Sequence, residues 1–212
     1  MECSVRPIIH GEKQFSVTGN STSVIIGQTF VPDDSVLQSA QNATEAVASW
    51  LWNANRIDLS RMHIHYQIRS ILEGSPGQGV SGPSAGVAIA ASLLSELSGV
   101  PISPSVVATG TIGVKLDVGP VGGLGGHGTQ TGKIVGILKS RRIKITDLIL
   151  PEANHKVATD EMRILADEGV RVHPITSLRN CTESFFDVNE SILIQKIRKR
   201  FYRLSSDESP KR

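Results

Sequence analysis

Cysteine is almost missing from this sequence. Cys3 and Cys181 are the only two in 212 residues, one near each end. Two residues so placed make neither a disulfide framework nor a metal-ligand cluster. The expectation is a reducing compartment, the cytoplasm or another intracellular space of that kind. Aromatic residues are scarce at 4%, so packing falls to Val, Ile, Leu and Ala. No apolar run approaches the roughly 20 residues needed to span a bilayer. The opening MECSVRPIIHGEK also lacks the apolar stretch of a signal peptide. No Gly-x-x-x-x-Gly-Lys-Ser/Thr phosphate loop occurs, which argues against an ATPase module in these residues. No acidic block offsets KIRKRFYR, 196–203, where five of eight side chains are basic.

What is present is a chain rich in small residues, with Gly 20, Pro 10 and a net charge of +2. VRPIIHG, FSVTGNS and TSVIIGQTF read as short strands within 5–30, with a turn at Thr18-Gly19-Asn20. The period then changes. Val36, Leu37, Ala40, Ala43, Val47, Trp50 and Leu51 recur at three and four, which predicts a helix over 33–53 with Asp33 or Asp34 as its cap. RMHIHYQI, 61–68, alternates like a strand and puts His63 and His65 on one side. A glycine-rich stretch, 73–86, leads into a helix over 87–98 that Gly99 and Pro101 stop.

Residues 105–121 read as a hairpin or two short strands. A second glycine-rich loop, GGLGGHGTQTG, fills 122–132. The segment 133–142 reads as helical despite Gly136, 147–151 as a buried strand, 157–168 as a helix and 170–175 as the last core strand. Helices and strands alternate irregularly, which predicts a compact α+β fold of mixed sheets packed against helices. The expected organisation is one domain over 1–190, then a basic segment and polar tail over 191–212.

The chemistry concentrates in the two glycine-rich loops. Ser84 lies within GVSGPSAG, just before a helix. A serine there can cap the helix, bind phosphate with the free N–H groups of the first turn, or act as a nucleophile beside those same N–H groups. A nucleophile also needs a base within hydrogen-bond reach. His63 and His65 sit mid-strand, and His155 lies in an EANHK turn read as surface. His127 and Lys133 lie in or just after the second loop. A lysine serves as base only when it is neutral part of the time, which burial favours. Lys133 opens the apolar stretch Ile134, Val135, Ile137, Leu138, a route to partial burial. The plain alternative is a solvated lysine at a helix start.

GPSAGVAIAASLLSELSGVPI, then ATG, VGPVGGL and DLILP, in that order, resemble the proteolytic domain of the Lon proteases. The resemblance covers most of the chain. It implies the Lon proteolytic-domain fold, which is related to the second domain of a small-subunit ribosomal protein. It implies Ser84 as nucleophile, Thr109 as the family threonine that holds the base, and Gly122 and Gly123 as the paired glycines. Gly82, Pro83, Ala85 and Gly86 would form the substrate and oxyanion loop. The family's lysine follows its paired glycines closely, and the ungapped position here is His127. The loop LGGHGTQTG is longer, and Lys133-Ile134 matches the family's lysine-apolar helix start. Lys133 is therefore preferred as base, with His127 the alternative. Thr111 stands where the family has glutamate.

The implied activity is endopeptidase cleavage of unfolded or loosely folded polypeptides through an acyl-enzyme, with no metal and no cofactor. The implied partners are copies of the chain in a ring, commonly a hexamer, and a separate unfoldase. The first alternative is a degenerate, non-catalytic Lon-like domain acting in assembly. The second is a small-molecule kinase of the galactokinase and mevalonate kinase type, which shares a related fold but carries adjacent serines that this chain lacks. The basic segment reads as a solvated helix end or as a contact for an acidic partner. Nothing points to sequence-specific nucleic-acid recognition.

Overall fold

The computed structural model describes residues 2–7, 21–26, 34–60, 62–68, 82–125, 132–139 and 143–206. The Thr18-Gly19-Asn20 turn, FSVTGNS and most of the first glycine-rich stretch lie outside them.

Three strands form the first sheet: β1 (Glu2–Pro7), β2 (Ser21–Ile26) and β3 (Met62–Ile68). β3 lies between the other two, antiparallel to β1 and parallel to β2. Its alternation is visible in the burial. Met62, Ile64 and Tyr66 are buried, and His63 and His65 on the other side are half-buried. The buried Tyr66 hydroxyl pairs with Thr44 Oγ1 at 2.8 Å, which satisfies both polar groups.

α1 (Asp34–Asn55) buries the stripe Val36, Ala40, Ala43, Val47, Trp50 and Leu51. Its small residues let it lie close to α2 (Gly86–Ser98), which is buried on almost every side. Gly99 ends α2 in the left-handed conformation at φ 68°, where a Cβ would be strained. Together with the first sheet, these helices enclose the main core.

A second sheet holds β4 (Val106–Ala108), β7 (Asp147–Pro151) and β8 (Arg171–Ile175), all parallel in the order β4-β7-β8. β5 (Thr111–Ile112) and β6 (Val118–Gly119) pair antiparallel. The segment 105–121 thus holds a hairpin preceded by a strand that joins a different sheet. DLILP is buried at all five positions because both faces of its sheet are covered. Ile149 enters the main core. Leu148 and Leu150 pack with Ile134, Leu165 and Val170 in a second cluster. β8 is an edge strand rather than a core strand, and of its residues only Ile175 is buried.

The remaining helices are α3 (Lys133–Leu138), α4 (Glu152–Val157), α5 (Thr159–Asp167), α6 (Thr182–Phe186) and α7 (Glu190–Ser206). α3 is shorter than its apolar pattern suggests, since Lys139 already forms its C-cap. The EANHK segment is helical, and its Asn154 is buried. α7 buries Leu193, Ile194 and Ile197 in the main core. Two of the basic groups in KIRKRFYR are committed inside the fold. Arg198 donates to Asn55 O at 3.3 Å, and Arg200 pairs with Glu96 at 2.7 Å. No described helix is long and apolar enough to cross a membrane.

Candidate active site

Ser84 occupies a single 3-10 turn, Pro83–Ala85, ahead of α2. Gly82 enters the turn at φ 91°, a conformation that favours glycine. Pro83 suits the first helical position because its φ is already set and it has no N–H to orphan. The turn is tied to the first turns of α1. Gly82 N–H donates to Ser35 Oγ at 2.7 Å, and Ser39 Oγ–H donates to Pro83 O at 3.1 Å.

Ser84 does not cap α2. Ala85 holds that position, and no side chain caps the helix. Among the described residues, Ser84 Oγ makes no hydrogen bond. Its carbonyl is held twice, by Gly110 N–H at 2.9 Å and Thr109 Oγ1–H at 3.3 Å. Val87 N–H returns a bond to Gly110 O at 3.1 Å. This reciprocal pairing joins the start of α2 to the end of β4.

Thr109 is buried, and its backbone N–H reaches Ile149 O at 3.0 Å. Its hydroxyl donates to Ser84 O at 3.3 Å, and among the described residues no hydrogen bond joins it to Lys133 Nζ. It fixes the backbone of the serine. Gly86 is required by close packing. A Cβ there would lie 3.0 Å from Ile112 N and 3.3 Å from Gly110 O.

Lys133 opens α3 behind Gly132, whose φ is 126°. The backbone here runs against the glycine pair, with Lys133 N–H on Gly123 O and Ile134 N–H on Leu124 O, both at 3.1 Å. The side chain turns back over the same loop. Nζ donates to Gly122 O at 2.7 Å. A Cβ on Gly123 would stand 3.5 Å from that nitrogen, and Gly123 itself takes φ 66°. Lys133 is partly exposed rather than enclosed. No hydrogen bond joins Lys133 Nζ to Ser84 Oγ among the described residues. The alternative base, His127, lies outside the described residues. His63 and His65 stand on β3, and His155 is half-buried on α4.

Asn154 is the residue that sequence reasoning missed. Its side chain pairs with the main chain of Val121 from both ends. Val121 N–H donates to Oδ1 at 2.8 Å, and Nδ2 donates to Val121 O at 2.7 Å. Asn154 is 7% exposed. It therefore anchors the turn Pro120-Val121-Gly122-Gly123, whose next carbonyl receives the lysine. Its position three residues after the buried DLILP strand was the only signal, and that signal does not name the partner.

The profile of the Lon protease (S16) C-terminal proteolytic domain matches residues 5–186. The chain belongs to the Lon protease family. Among its relatives is a mitochondrial Lon protease homolog of Drosophila melanogaster, 29% identical over 194 residues. That match covers 90% of this chain and 17% of the fly protein. An archaeal Lon protease of Methanothermobacter thermautotrophicus is 27% identical over 161 residues, 76% of this chain and 22% of the archaeal protein. A Lon protease of Aquifex aeolicus is 36% identical over 97 residues, 46% of this chain and 11% of its own length. The chain spans less than a quarter of the length of these relatives. The fold is thus that of a Lon proteolytic domain, an α+β arrangement with helices packed on small sheets, the first of them mixed.

Proposed function

We propose that the chain is a serine endopeptidase acting on unfolded or loosely folded polypeptides, with Ser84 as nucleophile and Lys133 as base. The observation that carries this reading is the junction at Ser84. The segment after β4 holds its carbonyl twice, α1 ties down the neighbouring Gly82 and Pro83, and among the described residues its hydroxyl makes no hydrogen bond. A serine kept only for capping would spend its oxygen on the helix.

In the proposed reaction, neutral Lys133 takes the proton from Ser84 Oγ as the oxygen attacks the scissile carbonyl carbon. The oxyanion falls to N–H groups at Ser84 and Ala85. The lysine passes its proton to the leaving amine, and water then hydrolyses the acyl-enzyme. For this, Lys133 Nζ must leave Gly122 O and approach Ser84, a rearrangement that substrate binding can drive. Gly122 and Gly123 give the substrate backbone room at the rim. Copies of the chain in a ring, commonly a hexamer, and a separate unfoldase complete the proposed working unit.

A second reading has one observation in its favour. Lys133 is engaged by Gly122 O, as expected of a degenerate domain that keeps the fold for assembly. Cleavage of unfolded casein separates the two. The wild-type chain is expected to cleave it and Ser84→Ala to fall to the blank. Equal activity in both would remove Ser84 from the role. Lys133→Ala beside His127→Ala then assigns the base, and activity surviving the loss of Lys133 transfers that role away from it.

A further inference from the structure

We propose that Asp147, His173 and Ser184 form a second serine-activating site, separate from Ser84, that accepts small acyl esters. Asp147 opens β7 opposite Val106, whereas Thr109 and Ser84 lie beyond the other end of β4. Three residues of strand put these positions about 10 Å apart.

The three groups are joined in the order a nucleophile needs. His173 Nε2 lies 2.7 Å from Asp147 Oδ1, and His173 Nδ1 lies 3.3 Å from Ser184 Oγ. Asp147 is held in place by its other neighbours. Arg171 contacts both of its oxygens at 3.0 Å, and Thr146 Oγ1–H donates to Oδ2 at 2.7 Å. The side chain of Asp147 is 9% exposed. A carboxylate so held is an acceptor, so the neutral imidazole places its proton on Nε2. Nδ1 is then left with its lone pair facing the Ser184 hydroxyl. This is the nucleophile–base–orienter arrangement of activated serines.

The site also has a cavity. A pocket of about 440 Å³ opens on Ser184, His173 and Asp147, within the size range of small-molecule sites. Val106 and Phe185 supply apolar wall, and the carboxylates of Glu183 and Asp187 line it as well. The Arg171 charge is already paired with Asp147, so the lining favours neutral or cationic esters over anionic ones. In the reaction, Ser184 Oγ forms a bond to the ester carbonyl carbon as its proton passes to His173 Nδ1. The bond from carbon to the alkoxy oxygen breaks, and the alcohol leaves with that proton. Water, deprotonated by the same nitrogen, then releases the acid and restores the hydroxyl.

The test uses the full chain carrying Ser84→Ala, so that the first site is silent. It is treated with a fluorophosphonate, which transfers its phosphonyl group to an activated serine with loss of fluoride. The adduct is mapped by peptide mass spectrometry. Ser184 is expected to label about 10²-fold faster than the exposed Ser191 on α7, the scale of a general-base contribution. Adding His173→Gln should remove that advantage, with the melting temperature recorded to show that the variant is folded. Where His173→Gln fails to fold, the ratio of Ser184 to Ser191 in the Ser84→Ala chain alone decides. Labelling of Ser184 no faster than of Ser191, or unchanged labelling in folded His173→Gln, overturns the proposal.

Discussion

Replacing Asn154 with alanine removes a clamp that the fold uses on the glycine turn before Lys133. Two hydrogen bonds disappear, those of 2.8 and 2.7 Å to Val121 N–H and Val121 O. A net protein hydrogen bond contributes about 1 kcal/mol, and buried partners left unpaired cost more. Val121 is only half-buried, so water can reach its freed groups, and the loss stays near the lower bound. Together the two bonds predict a destabilisation of about 2 kcal/mol. For a chain of this size that lowers the melting temperature by roughly 4–8 °C.

The variant should also lower kcat on unfolded casein by about tenfold or more. The loop that carries Gly122 O and faces Lys133 loses its anchor, and small displacements at a reacting centre are costly. Asn154→Asp sharpens the test. It keeps an acceptor for Val121 N–H but sets an oxygen against Val121 O. At neutral pH it should destabilise at least as much as alanine. In acid the deficit should shrink, because the protonated carboxyl can donate to Val121 O. Thermal melts of both variants, with casein cleavage beside them, give the readout. A melting temperature for Asn154→Ala within a degree of wild type would refute the clamp.

Other perturbations follow from the same geometry. Gly86→Ala places a methyl 3.0 Å from Ile112 N and 3.3 Å from Gly110 O, and a loss of about 1–3 kcal/mol is expected in denaturant titration. Gly99→Ala should destabilise by at least about 1 kcal/mol by the same measurement, because it is strained at φ 68° and meets Arg200 Nη1 at 2.7 Å. Asp147 gives a pH dependence. Burial by itself would raise its pKa, but hydrogen bonds from His173, Thr146 and Arg171 and the Arg171 charge together hold it below the ordinary 3.8. A depressed folded-state value adds stability that is complete above the unfolded value and lost as the pH falls through the folded one. The stability gap between wild type and Asp147→Asn should therefore be widest above about pH 4 and narrow in stronger acid, as followed by melts across pH.

Much of the fold was legible because it is written in local periods. The recurrence from Val36 to Leu51 became α1, and the alternation from Met62 to Tyr66 became the central strand of the first sheet. Gly99 stops α2 by its own backbone conformation. The ends of elements were less legible. α3 closes at Leu138 although apolar spacing and good helix formers suggested a longer run. β8 reads as a core strand by composition but lies at the sheet edge, since strand order is not encoded in any single strand.

The site divides in the same way. The residue types of GPSAG, with a proline and glycines around one serine before a helix, mark the turn that presents Ser84, and the resemblance to the Lon family is what singles that serine out as the candidate nucleophile. The partners of that loop are set at a distance. Thr109 donates to Ser84 O, a contact that no local pattern announces, because the end of β4 is sewn to the start of α2. Asn154 read as part of a surface turn, yet it is buried against Val121, 33 residues earlier in the chain.

The sequence by itself determined the family, the helix that follows Ser84 and the buried strand DLILP. Each of these rests on residue types at short spacing, where sterics and periodicity act locally. Only the tertiary structure decided that Ser84 is no helix cap, that Thr109 holds the serine backbone, that Lys133 donates to Gly122 O, and that Asp147, His173 and Ser184 meet around one pocket. Those outcomes depend on which distant backbone and side-chain groups packing brings within about 3 Å, the range over which a hydrogen bond acts.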